Sequence, residues 1–223
     1  MSIFGLIAQL RCGGYIAGYG LKKWWFSSFT QAERTLIRKT ISKPMSSFNH
    51  LDSGSKTVWM HYSEQGNKIE PVAKFLCSLC SWFTSAELRS IGRRIAEEGE
   101  RQLKTISGAD YHYASHNLVQ FWFSARNDWP DSLEKLELVC GRQISVSVEA
   151  RNELRAENKR LKQPIYVPSN EGYNQLCRLL FNQGRFAELE QIATLAKKEK
   201  WCGKWDEWIA ASQGTPSKIR KSK

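Results

Sequence analysis

The sequence lacks the long apolar run that a membrane-spanning helix needs. Such a helix takes about 20 consecutive apolar residues, and no segment of the 223 residues approaches that length. We therefore expect no integral membrane association. The apolar N-terminal segment has no basic start and is interrupted by Arg11, which argues against a secretory signal peptide.

Cysteine is too scattered for the disulfide framework of a small secreted domain. The six cysteines stand in apolar or helical contexts, which predicts free thiols in a reducing compartment and a cytoplasmic location. Cys77 and Cys80 form a C-x-x-C pair, but a structural zinc site needs four ligands and no second pair completes the set. We predict that both are buried as small apolar side chains, with metal binding as the alternative.

Sequence signatures of catalysis and of cofactor binding are also missing. The chain has no G-x-S-x-G motif, no P-loop and no dinucleotide-binding G-x-G-x-x-G. His112 and His116 share a helix face at i and i+4, a spacing that suits two metal ligands, but the glutamate of the zincin motif is absent between them. We predict a non-enzymatic protein without cofactor or metal, and keep a metal site at these histidines as the alternative.

Acidic residues are fewer than basic ones. The chain has 33 Lys and Arg against 22 Asp and Glu, a formal net charge of +11. A positive field of this size attracts phosphate backbones, anionic lipids and acidic proteins alike. Each basic cluster alone is typical of a solvated surface, and together they are the candidates for contact with nucleic acid: Lys22, Lys23, Arg93, Arg94, Lys159, Arg160, Lys162, Lys218, Arg220 and Lys221.

Helical periodicity is abundant and predicts an all-α protein. Thr30-x-x-Glu33 and Thr84-x-x-Glu87 both have the capping-box spacing, in which the threonine hydroxyl and the glutamate satisfy each other's backbone amides. They predict helix starts near residues 30 and 84, and Pro71 suits the first turn of a helix between them. Further helices are predicted over 85–106, 112–126, 131–143, 147–162 and 172–183, and after residue 185.

The segment 172–196 has the pattern of a helix, a tight turn at Gly184 and a second helix. Small Ala193 and Ala196 allow the two helices to approach closely. The segment resembles a tetratricopeptide unit at its apolar and small positions, which are Leu176, Leu180, Gly184, Phe186, Leu189, Ala193 and Ala196. Cys177 and Trp201 depart from that family's preference for a small residue and a proline. The resemblance implies a helical hairpin within a repeat array.

Three tryptophans near the end of this region share one helical face: Trp201, Trp205 and Trp208. The stretch 111–209 is similar to an uncharacterised bacterial and phage group in which a tetratricopeptide-like hairpin precedes a Gly-Trp-x-Gly-Asp-Trp type of ending. Here Lys200 and Lys204 replace the first glycine and the acid. That resemblance implies helical-repeat packing and no activity. We expect the tryptophans to seal the last hairpin, with a stacking or anchoring surface as the alternative.

These patterns predict an N-terminal helical region over 1–108, a tetratricopeptide-like helical array over 109–211 and a disordered basic tail over 212–223. Arrays of helix pairs present grooves that usually bind other proteins. The first hypothesis is therefore a non-enzymatic adaptor or complex subunit, whose groove candidates are Tyr173, Asn174, Arg178, Trp201 and Trp205. The alternative is a nucleic-acid-binding protein of a phage or mobile element that uses the basic clusters and the tail. The oligomeric state stays open.

Overall fold

The regular structure of the chain is helical. A computed structural model describes residues 12–42, 51–52, 70–162 and 169–214. These ranges contain eleven α-helices, two 3₁₀ turns and one isolated β-bridge, between Ser169 and Cys202. The prediction of an all-α protein is confirmed for these ranges, whereas the tetratricopeptide-like array stays a prediction. The tail cations Lys218, Arg220 and Lys221 lie outside the described residues.

The chain divides into two compact units, 1–72 and 73–223. The predicted division at residue 108 stays a prediction. The first unit contains α1 (Gly14–Gly18), α2 (Lys22–Ser28) and α3 (Gln31–Ser42). The second contains α4 (Val72–Cys80, apart from its first residue), α5 (Arg89–Gln102), α6 (Gly108–Ser124), α7 (Ser132–Ser145), α8 (Ser147–Arg160), α9 (Glu171–Asn182), α10 (Phe186–Lys198) and α11 (Trp205–Ser212). In the ranges that the structure describes, no helix combines the length and the apolarity needed to cross a membrane.

Asp52 joins the three helices of the first unit. Its carboxylate accepts hydrogen bonds from Trp25 Nε1 at 3.0 Å and from Arg38 Nε and Nη2 at 2.7 and 2.6 Å. Its backbone carbonyl accepts from the amide of Gly13, directly before α1, at 3.0 Å. A buried charge is costly unless it is paired, and here hydrogen bonds from α2 and α3 satisfy both carboxylate oxygens.

The two capping-box predictions have different outcomes. The Thr30 hydroxyl accepts from the amide of Glu33 at 3.2 Å and Glu33 Oε2 accepts from the amide of Thr30 at 2.8 Å, so the first box is confirmed. The second is wrong, because α5 begins five residues after Thr84. Thr84 follows a 3₁₀ turn and keeps a helical backbone (φ −91°, ψ −12°) instead of the extended one that an N-cap needs.

Helix α6 is the central helix of the second unit. It packs against α5, α7, α8 and α9; α9 in turn packs against α7 and α10, and α10 packs against α11. Aromatic side chains fill the space between these helices, and the largest fully buried ones in this unit are Trp122, Tyr173, Phe75, Phe83 and Phe121. The predicted glycine turn is confirmed, since Gly184 has φ +72° between α9 and α10.

A carboxylate from α8 caps the first turn of α6. Gly108, the first residue of α6, has φ +53°, and the Glu153 carboxylate lies where a side chain at position 108 would begin. Glu153 Oε2 accepts from the amide of Ala109 at 2.8 Å. A helix N-terminus carries unpaired amides and a partial positive charge, so this carboxylate stabilises α6 by hydrogen bonding and by its charge.

Candidate functional site

Most of the predicted groove residues lie in the core. Tyr173, Trp201 and Trp205 are 0%, 3% and 4% exposed, and the rings of Tyr173 and Trp205 meet edge to face at 6.0 Å between centroids. These three side chains are therefore not on a partner-accessible surface. The prediction that Trp201, Trp205 and Trp208 share one helical face is wrong for Trp201, which precedes α11 (Trp205–Ser212), although all three are buried. Asn174 is half-buried and Arg178 is exposed on α9, so these two remain on the surface.

A buried hydrogen-bonded cluster joins α8 to the turn between α10 and α11. Glu199 Oε2 accepts from Ser147 Oγ at 2.6 Å and from Trp201 Nε1 at 2.9 Å. Arg151 Nη1 donates to the backbone oxygen of Glu199 at 2.6 Å. Burial raises the pKa of the neighbouring Tyr173 hydroxyl. The side chains of Ser147, Glu199 and Trp201 are buried, whereas Arg151 is half-buried. The cluster holds the tryptophan turn in place, which is a structural role.

His112 belongs to the same core. Its ring stacks on Trp201, with centroids 4.9 Å apart and planes 19° apart. Burial, and then the charge of His116, lower the pKa of His112 to about 4, so the ring is neutral at pH 7. His116 Nε2 lies 3.0 Å from Gln120 Nε2. The described part of the chain contains no group of three or more potential metal ligands.

The C-x-x-C pair lies in the last turn of α4. Cys77 and Cys80 are both fully buried, and Cys80 Sγ donates to the carbonyl of Cys77 at 3.0 Å. Burial raises the pKa of both thiols, which disfavours the thiolate that metal binding and disulfide exchange require. The prediction that both act as small apolar side chains is confirmed by their burial.

Two of the predicted nucleic-acid cations are paired with carboxylates. Arg93 forms ion pairs with Asp131 at 2.7 Å and Glu97 at 2.9 Å, and its guanidinium lies 4.9 Å from the Trp129 ring centroid. Arg160 pairs with Glu157 at 2.5 Å. Their charges are therefore largely compensated. Arg94 is half-buried and donates to a backbone oxygen one turn earlier on α5.

The remaining described candidates lie on α2 and at the end of α8. Lys22 is half-buried and Lys23 is exposed. Lys159 and Lys162 are exposed, and neither has a carboxylate partner among the described residues. The helix adds two cations that are not adjacent to other basic residues in the sequence: Arg151 and Arg155 precede Lys159 by two turns and one turn. Their i, i+4 and i+8 spacing is the sequence signal that identifies them.

A second surface lies where α9 packs against the C-terminal end of α6. The Phe123 ring is half-buried, and the guanidinium carbons of Arg126 and Arg178 lie 4.4 and 5.9 Å from its centroid. Arg126 Nη1 also donates to the Phe123 carbonyl at 2.8 Å. Arg178 makes no ion pair with any residue in the described ranges. We call Phe123, Arg126, Asn174 and Arg178 the α6–α9 surface.

This surface combines an apolar ring with guanidinium groups. Such a combination binds carboxylates through paired hydrogen bonds and apolar side chains through the ring. It contains no nucleophile or general base, so binding is the chemistry that it supports. Searches of protein-family models, curated proteins and solved structures give no match for the chain.

Proposed function

We propose that the chain is a non-enzymatic adaptor or complex subunit that binds an acidic segment of a protein partner on the α6–α9 surface. The observation that carries this proposal is the position of Arg178. It is an exposed arginine beside an aromatic ring, with no ion pair in the described ranges. Arginine and aromatic residues are enriched among the side chains that contribute most to binding at protein interfaces.

The proposal retains part of the groove inferred from the sequence. Asn174 and Arg178 face outward from α9, while the buried Tyr173, Trp201 and Trp205 support the helices from behind. A partner carboxylate would accept hydrogen bonds from Arg178, and a neighbouring apolar side chain would pack on the ring of Phe123. The net charge of +11 accelerates the encounter with an acidic partner.

Affinity purification of the full chain from its native host, after nuclease treatment, tests the proposal. Proteins retained by the wild type should be lost with Arg178→Glu, because truncation of a central interface arginine weakens binding by about tenfold or more. Lys104→Glu is the matched control, since Lys104 is exposed on a 3₁₀ turn of the same unit. Equal retention by both variants, or release of all bound protein by nuclease, would contradict the proposal.

A further inference from the structure

Helix α8 separates its charges onto two opposite sides. At 3.6 residues per turn, Arg151, Arg155 and Lys159 fall within about 80° of each other, and Lys162 lies just beyond the end of the helix. Glu149, Glu153 and Glu157 fall within a similar arc on the other side. We call Arg151, Arg155, Lys159 and Lys162 the basic flank. The core-facing side between the two arcs contains the buried Ser147 and Ala150.

The acidic side of α8 is engaged in contacts of its own. Glu153 caps the first turn of α6, and Glu157 accepts from Arg160 Nε and Nη2 at 2.8 and 2.5 Å. These two carboxylates therefore do not neutralise the basic flank across the helix. Arg160 is adjacent to Lys159 in the sequence, but it lies about 100° further around the helix, on the side of Glu157.

The basic flank is left with uncompensated charge. Arg155, Lys159 and Lys162 form no ion pair with the residues that the structure describes. Arg151 donates to the backbone oxygen of Glu199 and to the Asn152 side chain, both uncharged acceptors. Because Lys200 follows Glu199 directly and is exposed, it adds a fifth cation near the Arg151 end.

Two of these five lysines and arginines have a backbone conformation that favours glycine. Lys162 has φ +53° and Lys200 has φ +61°, just after the ends of α8 and α10. Glycine is the usual residue at this position, since a side chain there raises the energy of the left-handed backbone. A cation near a helix C-terminus interacts favourably with the helix dipole. The presence of lysine at both strained positions of one surface favours a role in binding beyond that.

We propose that the basic flank, together with Lys200, binds the phosphate backbone of duplex nucleic acid without reading its sequence. With a rise of 1.5 Å per residue, Arg151, Arg155 and Lys159 span about 12 Å, between about three and four base pairs, with about 6 Å between successive cations. That spacing is shorter than the Debye length of about 8 Å at physiological salt, so the cations act together. Binding to single strands relies on aromatic stacking, and the flank contains no aromatic residue. A straight, rigid duplex is therefore the ligand that it fits.

Fluorescence anisotropy of a labelled 20-base-pair duplex with the full chain, titrated at several salt concentrations, tests this proposal. Each phosphate contact contributes about 0.9 to the slope of log affinity against log salt. The Arg155→Gln, Lys159→Gln double variant should therefore reduce the slope by about 1.8 and lower the affinity about tenfold or more. Arg160→Gln, on the opposite side of the same helix, should leave the slope unchanged. The proposal would be overturned if the double variant and Arg160→Gln reduced the salt slope equally, or if neither variant reduced it.

Lys162→Gly separates binding from stability. Removing the left-handed strain should raise the melting temperature by about 2 °C or more, while loss of the cation should reduce the salt slope by about 0.9. Higher stability with unchanged duplex binding would show that Lys162 only terminates the helix, and would count against the proposal. So would a preference for single-stranded DNA of equal length. Vesicles of phosphatidylserine that bind as tightly as the duplex, with the same loss in the double variant, would assign the flank to membranes instead.

Discussion

Removal of the Glu199 carboxylate should destabilise the fold far more than removal of its charge. One oxygen, Oε2, accepts both hydrogen bonds of the buried cluster, from Ser147 and from Trp201. A hydrogen bond to a charged group contributes about 1.5–3 kcal/mol, and a buried donor left without an acceptor adds a penalty. Glu199→Ala should therefore lower the free energy of unfolding by about 3–4 kcal/mol. Glu199→Gln keeps a carbonyl oxygen available to both donors and should cost about 1 kcal/mol.

Urea unfolding of the full chain, followed by tryptophan fluorescence and by far-ultraviolet circular dichroism, measures both variants. For a chain of this length, Glu199→Ala should also lower the melting temperature by about 6–16 °C. Glu149→Ala, an exposed position on α8, is the control and should stay within about 0.5 kcal/mol of the wild type. Equal losses for Gln and Ala would refute the reasoning, because they would show that the charge, and not the shared oxygen, holds the cluster together.

Two further predictions concern buried His112 and exposed Gly141. The pKa of His112 is about 4 in the fold against 6.5 for an ordinary histidine, so the unfolded chain binds the proton more readily. The free energy of unfolding should be highest above pH 6.5 and fall by about 3 kcal/mol towards pH 4. In urea titrations at several pH values, His112→Phe should remove this fall. An unchanged pH profile in the variant would contradict the prediction. A side chain at Gly141, inside α7, would meet no atom within 4 Å. Gly141→Ala should therefore raise the free energy of unfolding by about 0.5–1 kcal/mol. A melting temperature of the variant below that of the wild type would contradict this prediction.

Helix starts can be predicted from the sequence where their determinants lie within one turn. The Thr30 and Glu33 box forms through two hydrogen bonds between residues three apart, so both of its partners are visible in the local sequence. The same spacing at Thr84 fails, since Phe83 is fully buried and ends a 3₁₀ turn that keeps the next residue helical. That burial depends on packing between distant helices, which no short pattern records.

The charges that remain available on the surface are harder to predict. Arg93 and its partner Asp131 are separated by 38 residues, so their ion pair has no local signature. Lys159 and Arg160 are neighbours in the sequence, yet they belong to opposite sides of α8. Grouping residues by helical turn instead of by adjacency identifies the basic flank from the sequence alone. The α6–α9 surface, by contrast, requires the packing of Arg178 against Phe123.

The aromatic residues show which features of the packing can be predicted from the sequence and which cannot. The spacing predicts that three tryptophans share one helical face; all three are buried, but Trp201 precedes α11, which begins at Trp205. The sequence spacing within α9 does not indicate which side of that helix faces the core. Tyr173 and Arg178 are five residues apart, well under two turns, and one is fully buried while the other is exposed. Only the partners of the helix decide between them, here Trp205 on one side and Phe123 on the other.

The cap of α6 by Glu153 makes the start of one helix depend on a side chain of another. Because the Glu153 carboxylate lies beside Gly108, a side chain at position 108 would push that carboxylate away from the helix start. The left-handed backbone of Gly108 adds strain to any such side chain, whatever residue stands at 153. A larger residue at 108 therefore weakens the start of α6 in two ways, and natural or designed variants of this fold should keep glycine there.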